Sequence, residues 1–117
     1  MSLASLVTDL LAPEACVWCG TPGNVACAAC LASLAWVPAC RCGRCGMPTP
    51  VPAARCAECP PGVARAEQAC AYDRRAASLV AAFKDRGRAS AASVAGRAMA
   101  VRCRPPPPGV PLVPVPT

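Results

Sequence analysis

Eight of the eleven cysteines form four Cys-x-x-Cys pairs in the first half of the chain, and these are the residues best suited to chemistry. The pairs are Cys16/Cys19, Cys27/Cys30, Cys42/Cys45 and Cys56/Cys59. Tetrahedral Zn²⁺ takes four thiolates, and a Cys-x-x-Cys turn presents two of them from one tight loop. Two facing turns complete one site, so the four pairs predict two structural zinc ions.

The pairs also form a repeat, because Cys16 and Cys42 lie 26 positions apart and each of these turns runs into a glycine. Glycine adopts the positive φ that such a turn tends to need. Sequence order groups 16/19 with 27/30 and 42/45 with 56/59, while an interleaved grouping stays open. Cys40 competes with Cys42 as a ligand, but the turn from Cys42 to Gly46 copies the first turn and favours Cys42.

Disulfides, catalytic redox chemistry and iron–sulfur ligation are the other uses that such cysteines have. The odd total of cysteines and the Cys-x-x-Cys doublets both favour reduced thiols that bind metal. The apolar stretch from Leu3 to Leu11 lacks a basic flank and is interrupted by Thr8 and Asp9, so it is a poor signal peptide. No run reaches transmembrane length. We therefore predict a cytoplasmic protein without membrane insertion.

Histidine is absent, which confines any metal site to cysteine and excludes histidine-based acid–base catalysis. The core is predicted to be thin, because the 55% hydrophobic fraction is inflated by alanine and cysteine. The aromatic residues are Trp18, Trp36, Tyr72 and Phe83. A structural zinc site adds roughly 10 to 16 kcal/mol of apparent binding free energy to folding, which offsets that shortage.

The formal charge of +6 is weak support for a nucleic-acid partner. Each Zn(Cys)₄ centre carries a net charge of about −2, so two filled sites bring the chain to about +2. The cluster of Lys84, Arg86 and Arg88 has two interpretations. It is either a contact for an anion or for single-stranded DNA, or a solvated set of cations at a helix C-terminus, which we favour.

Composition changes at residues 59–62, and we predict a boundary there between residues 1–62 and 63–117. In the first part we predict a helix over 3–11 and a short helical turn after Cys30. The helix is expected to cover the first zinc ribbon, the metal site formed by the pairs 16/19 and 27/30. In the second part the patterns predict a strand over Glu67–Tyr72, helices over Arg74–Lys84 and Ala89–Val101 separated by Gly87, and an apolar strand over 110–117. The fold class is a small metal-bound α+β protein.

In this order, the elements and motifs resemble the N-terminal half of ComF-family proteins. The motifs are the two cysteine blocks, Ala71-Tyr72, the stretch Leu79–Arg88 and Val113-Pro114-Val115-Pro116. ComF proteins join a double zinc ribbon to a type I phosphoribosyltransferase-like domain and are associated with DNA uptake. The resemblance implies that residues 63–117 are a truncated α/β, phosphoribosyltransferase-like segment.

The resemblance does not carry over the enzyme's catalytic residues. A phosphoribosyltransferase holds ribose hydroxyls with adjacent acidic residues and the 5-phosphate with a Thr/Gly turn that opens a helix. None of the six acidic residues is adjacent to another, and none precedes a Thr/Gly turn. We therefore expect no catalysis by this polypeptide alone, with activity arising in a longer chain or with a protein partner that completes the domain.

Three cysteines fall outside the two sets. Cys70 lies in the predicted strand and is expected to be a small buried residue, because no histidine is present to activate it. Cys103 lies between two arginines and is expected to be exposed. The ribbon arginines, Arg41, Arg44 and Arg55, offer a second weak nucleic-acid surface.

Overall fold

The described part of the chain forms four helices and a few single-residue β-bridges. The structure, a computed structural model, describes residues 2–115. The helices are α1 (Leu3–Leu11), α2 (Ala28–Ala32), α3 (Arg74–Lys84) and α4 (Ala89–Arg102). The predicted bounds of α1 and α3 are confirmed, and α4 runs one residue further than predicted. The short helix α2 contains Cys30 instead of following it.

Helix α3 begins and ends at residues suited to those positions. Its N-cap is Asp73, whose side chain accepts hydrogen bonds from the main-chain N–H groups of Arg75 and Ala76, both at 3.0 Å. The predicted stop at Gly87 is confirmed, because this glycine has a φ of 64° just beyond the helix and Arg88 N then donates to Ala82 O at 2.9 Å. The cap and the glycine turn the chain sharply from α3 into α4.

Strand pairing is sparser than predicted. Within residues 2–115 the pairings are isolated bridges: Ala15 with Pro22, Trp36 with Cys70, Arg41 with Pro48, and Cys42 with Ala53. The strand predicted over Glu67–Tyr72 is thus reduced to one bridge, and residues 110–115 form none. Pro111 and Pro114 remove main-chain donors from that last stretch, and its two final predicted residues lie outside the described chain.

The apolar core lies between the first cysteine block and the α3–α4 pair. Its buried members are Val25, Leu79, Ala82 and Ala91, and Val17, Trp18 and Phe83 are among the side chains that pack against them. Alanines make up half of the buried set, so the prediction of a thin core is confirmed. Residues from both sides of position 62 share this core, and the division into two domains stays a prediction.

Helix α1 lies outside that core. The apolar residues of α1 are 42 to 82% exposed, and α1 contacts no other helix in the described part of the chain. The prediction that α1 covers the first ribbon is therefore wrong. The Cα radius of gyration is 17.2 Å, whereas a compact domain of this length has about 13 Å, so the outline is elongated.

Two candidate metal centres

The eight paired cysteines converge into two four-sulfur clusters. One contains Cys16, Cys19, Cys27 and Cys30, the other Cys42, Cys45, Cys56 and Cys59, and the sulfurs within each lie within 4.8 Å of one another. Sequence order therefore gives the correct grouping, and the interleaved alternative is wrong. The clusters are positioned to bind two metal ions, as predicted.

The sulfur spacing fits zinc. Cys19 Sγ lies 3.7 Å from Cys27 Sγ in the first cluster, which we call site 1. In the second, site 2, Cys45 Sγ lies 3.4 Å from Cys56 Sγ and Cys42 Sγ lies 3.5 Å from Cys59 Sγ. Four thiolates at 2.3 Å from a tetrahedral zinc lie about 3.8 Å apart. The observed spacings are close to that value, so both sets fit an all-cysteine zinc site.

The 26-residue repeat of the sequence is also a repeat of hydrogen bonds. Cys16 N donates to Thr21 O at 2.9 Å, and Cys42 N donates to Met47 O at 2.8 Å. Cys16 O and Cys42 O each accept from the glycine four residues later, at 2.9 and 3.0 Å. Each metal site is therefore built on the same closed turn.

One further equivalent pair of bonds settles the position of Cys40. Glu14 O accepts from Gly23 N at 2.8 Å, and Cys40 O accepts from Thr49 N at 3.1 Å, 26 positions later. Cys40 thus occupies the place of Glu14 in the repeat, outside the ligand set. The preference for Cys42 over Cys40 is confirmed.

The glycines that follow the first pairs have positive φ values, 76° at Gly20 and 75° at Gly46. This is the left-handed conformation in which glycine carries no steric cost. At Gly46 a Cβ atom would also stand 3.3 Å from Ala66 O, whereas Gly20 faces open space. The second turn therefore needs glycine for both its φ value and its packing.

Main-chain N–H groups point at the first cysteine of each block. Burial raises the pKa of Cys16, but hydrogen bonds, chiefly from Cys27 N at 3.5 Å, outweigh it and lower the pKa to about 6. The pKa of Cys42 is also lowered to about 6, mainly by the N–H of Cys45 at 3.5 Å. These bonds stabilise thiolates, the form that binds metal.

The last-ionising thiol of each set shows why a cation belongs there. The pKa of Cys30 is raised to about 12, first by its hydrogen bond with Cys27, and that of Cys56 to about 12, first by its hydrogen bond with Cys45. Crowded thiols cannot all ionise next to one another. A divalent cation at the centre removes that conflict, so the donor set fits zinc both in spacing and in charge.

Different parts of the second half cover the two sites. Beside site 1, Trp18 Nε1 donates to Arg75 O at 2.9 Å, and Arg88 Nη2 donates to Ala15 O at 2.7 Å. Site 2 is covered by the chain after residue 62, because Arg44 Nε donates to Val63 O at 2.7 Å and Gln68 Nε2 donates to Gly46 O at 2.9 Å. Cys45 is accordingly buried, whereas the equivalent Cys19 is exposed.

The three cations predicted as anion contacts do not form one site. Arg88 Nη2 donates to Ala15 O and forms a 3.9 Å ion pair with Glu14. Lys84 is exposed. Arg86 and Arg88 instead line an open cavity of about 660 Å³ together with Arg74. Arg74 lies twelve residues before Arg86, so nothing in the sequence pattern linked it to this cluster.

The two remaining cysteines stay outside both clusters. Cys70 is half-buried, and burial is the larger of two causes that raise its pKa, the other being the charge of Asp73. Cys103 is also half-buried, so the prediction that it is exposed is wrong. Among residues 2–115, neither thiol belongs to a group of side chains that could hold a metal ion.

Comparison with protein-family models, with curated proteins and with solved structures found no match to this chain. Among residues 2–115, no helix has the length and apolar character needed to cross a bilayer. The two cysteine clusters and their surroundings are therefore the features that bear on function.

Proposed function

We propose that this protein is a cytoplasmic double zinc ribbon module of the ComF type that acts as a binding and interaction element. The observation that carries the proposal is the pair of Cys₄ clusters built on one repeated turn. Four thiolates fill the coordination sphere of a tetrahedral zinc and leave no position for water or substrate. The two metals thus have a structural role.

The first test is metal content. Protein purified without added metal should contain two zinc ions per chain. Cys16→Ser and Cys42→Ser should each lose one ion, whereas Cys40→Ser and Cys103→Ser, the matched changes at cysteines outside the clusters, should keep both. Iron in place of zinc, or metal-free protein with oxidised thiols, would overturn the proposal.

We further propose that the ribbons belong with a phosphoribosyltransferase-type domain connected with DNA uptake, of which residues 63–117 are the opening segment. Two observations support this: helices α3 and α4 occur where the resemblance needs them, and the ribbon and helix pair share a core. Reading the nucleotides after the Thr117 codon tests it. A frame that encodes two adjacent acidic residues and then a Thr/Gly turn supports the linkage, and an unrelated frame removes it.

A second candidate function is the binding of single-stranded DNA. The observation that favours it is the cavity lined by Arg74, Arg86 and Arg88, where Arg74 makes no side-chain hydrogen bond within the described chain and Arg86 donates only to Ser78 O at 3.4 Å. Both guanidinium groups thus retain donors for phosphate.

Salt dependence separates specific phosphate contacts from general attraction. For single strands the logarithmic salt slope is about −0.7 per neutralised phosphate. Arg74→Gln with Arg86→Gln should therefore reduce the slope for an oligothymidylate by about 1.4. Lys84→Gln removes a charge outside the cavity and serves as the control. Equal effects per removed charge, or no binding at low salt, would exclude this function.

A further inference from the structure

The chain segment at Cys70 has one paired edge and one open edge. On the paired side, Val37 N donates to Ala69 O at 3.1 Å and Ala71 N donates to Ala35 O at 2.8 Å. Trp36 and Cys70 are therefore the non-hydrogen-bonded pair of this antiparallel bridge, and the N–H and C=O of Cys70 point the other way. Across residues 2–115 those groups, and the main-chain groups of Gln68, make no hydrogen bond.

An apolar cavity of about 200 Å³ lies beside this segment. It is lined by Gln68 and Cys70 and by aliphatic side chains that include Leu31, Leu79 and Val80. An apolar cavity of roughly 150 Å³ can accept benzene, so this one has room for a branched aliphatic side chain. An open edge with an apolar pocket next to it is the arrangement that binds an added β-strand.

The chain itself contains an exposed segment with the matching features. Val113 and Val115 are each 83% exposed and Leu112 is 81% exposed. No hydrogen bond joins the main chain of residues 111–115 to any described residue. Pro111 and Pro114 lack N–H groups, so Val113 and Val115, two residues apart, give the only edge of this stretch with two consecutive donors.

Hydrogen bonds at residues 104 and 105 fix the chain before this segment, which does not line the cavity beside Cys70. Arg65 Nη2 donates to Pro105 O at 2.8 Å, and Arg104 Nη2 donates to Gly43 O at 2.8 Å. A turn closed by Val110 N donating to Pro107 O, with Gly109 at a φ of 82°, precedes the segment. Leu112 lines a different cavity, with Arg65 and Pro105, and not the one beside Cys70. Each chain thus presents one open edge and one unpaired strand.

We propose that residues 112–115 of one copy add as a strand to the Gln68–Cys70 edge of a second copy, and that the exchange is reciprocal. A chain that carries both the donor and the acceptor closes such an exchange as a two-fold dimer. Val113 and Val115 supply the N–H groups, and an apolar side chain of the segment enters the cavity. The groove and the segment are both uncharged, so no repulsion opposes their contact. This deepens the interaction role proposed above and rests on it.

Sedimentation of the zinc-loaded full chain tests the proposal. The mass should rise with concentration from 11.8 kDa to twice that value. Val113→Asp and Val115→Asp should each raise the dimer dissociation constant by at least about tenfold, because a buried carboxylate without a partner is costly. Val51→Asp, at a 66% exposed position on the second ribbon, should leave it unchanged within about twofold.

A synthetic peptide spanning residues 109–117 tests the register without altering the fold. It should dissociate the dimer, and methylation of the Val113 nitrogen should abolish that effect, whereas methylation of the Leu112 nitrogen should not. A monomer at all concentrations, a dimer insensitive to Val113→Asp, or equal potency of the two methylated peptides would overturn the proposal. A monomer whose Cys70 amide loses protection from hydrogen exchange in Val113→Asp would show docking within one chain and would also overturn it. Zinc content is measured on every sample, so a failure of dimerisation is distinguishable from a failure of the ribbons.

Discussion

The two metal sites have the same local geometry and different surroundings. Both use the turn that begins at Cys16 or Cys42, and both direct a main-chain N–H from the third cysteine to the first sulfur, at 3.5 and 3.2 Å. The first ribbon contributes Val17, Trp18 and Val25 to the apolar core, whereas the second contributes no member of that cluster. The same turn is thus covered by an apolar core at site 1 and by other contacts at site 2.

Polar contacts take the place of the core at site 2. Ala66 N donates to Arg44 O and Arg104 Nη2 donates to Gly43 O, so two separate segments hold the turn by hydrogen bonds. Apolar burial stabilises in proportion to area, whereas an exposed polar contact contributes about 1 kcal/mol or less. Site 1 should therefore be coupled to the helix pair strongly, and site 2 weakly.

The loss of one metal ligand is expected to have the largest effect and to differ between the sites. Cys16→Ser should lose one zinc and much of the helical circular dichroism, because the core loses the ribbon that covers α3 and α4. Cys42→Ser should lose one zinc and retain the α3–α4 signal. A structural zinc site is worth roughly 10 to 16 kcal/mol, as much as the whole stability of a typical domain.

Cys40→Ser is the matched control for both variants, since it removes a thiol outside the clusters. It should keep two zinc ions and the full helical signal. Equal loss of helix in Cys16→Ser and Cys42→Ser would show that both sites are coupled to the helices alike. It would contradict the expected difference between a strongly coupled site 1 and a weakly coupled site 2.

The core residue Leu79 offers a smaller and more local test. Leu79→Ala removes a side chain that is 6% exposed and should lower the free energy of unfolding by about 2 to 5 kcal/mol. Zinc release from site 1 should accelerate while release from site 2 stays unchanged. Val51→Ala, at an exposed position, should leave both rates and the stability within about 0.5 kcal/mol of the parent.

The sequence predicted the elements that local chemistry determines. The ligand sets follow from cysteine spacing, the stop before α4 follows from Gly87, and α3 follows from its apolar period. The exposure of α1 was not predictable, because an apolar helical face does not say which surface covers it. Its Ser2 cap and spacing form the helix without specifying a contact.

The strand predictions failed in part because pairing depends on a second segment, and in part because Pro111 and Pro114 lack main-chain donors. A predicted strand forms only where another segment pairs with it, and Cys70 pairs with one residue while residues 111–115 pair with none in the described chain. Arg74 was likewise missed because its proximity to Arg86 depends on the fold of the chain around α3. Tertiary contacts of this kind leave no local signal in a single sequence.

Ligand exposure should make the two sites differ in the rate of metal loss. Cys19 is exposed in site 1, whereas the equivalent Cys45 is buried in site 2. A chelator or a thiol reagent should therefore remove zinc from site 1 several times faster than from site 2. Release followed in Cys42→Ser, which retains only site 1, should reproduce the fast phase. A fast phase that belongs to site 2 would contradict the assignment.

The smallest effect concerns the ion pair between Arg104 and Glu67. Arg104 Nε lies 2.5 Å from Glu67 Oε1, and the arginine side chain is 53% exposed, so the pair is worth about 0 to 1 kcal/mol. Burial tends to raise the pKa of Glu67, but the hydrogen bond and charge of Arg104 outweigh it, and the pKa lies below its ordinary value of 4.5. The stabilisation is thus present above that value and is lost as the pH falls through the lowered pKa.

Arg104→Gln should therefore reduce stability slightly at pH 7, and the difference from the parent should shrink as the pH falls below 4.5. Comparing the two proteins at each pH cancels the titration of the metal sites, which they share. Arg97→Gln removes a charge on α4 that makes no ion pair within residues 2–115 and serves as the control. Gly43 O, beside site 2, accepts from Arg104. Arg104→Gln should therefore accelerate zinc release from site 2 more than it accelerates release from site 1. An effect confined to site 1 would mean that polar contacts at residue 104 do not hold the second ribbon.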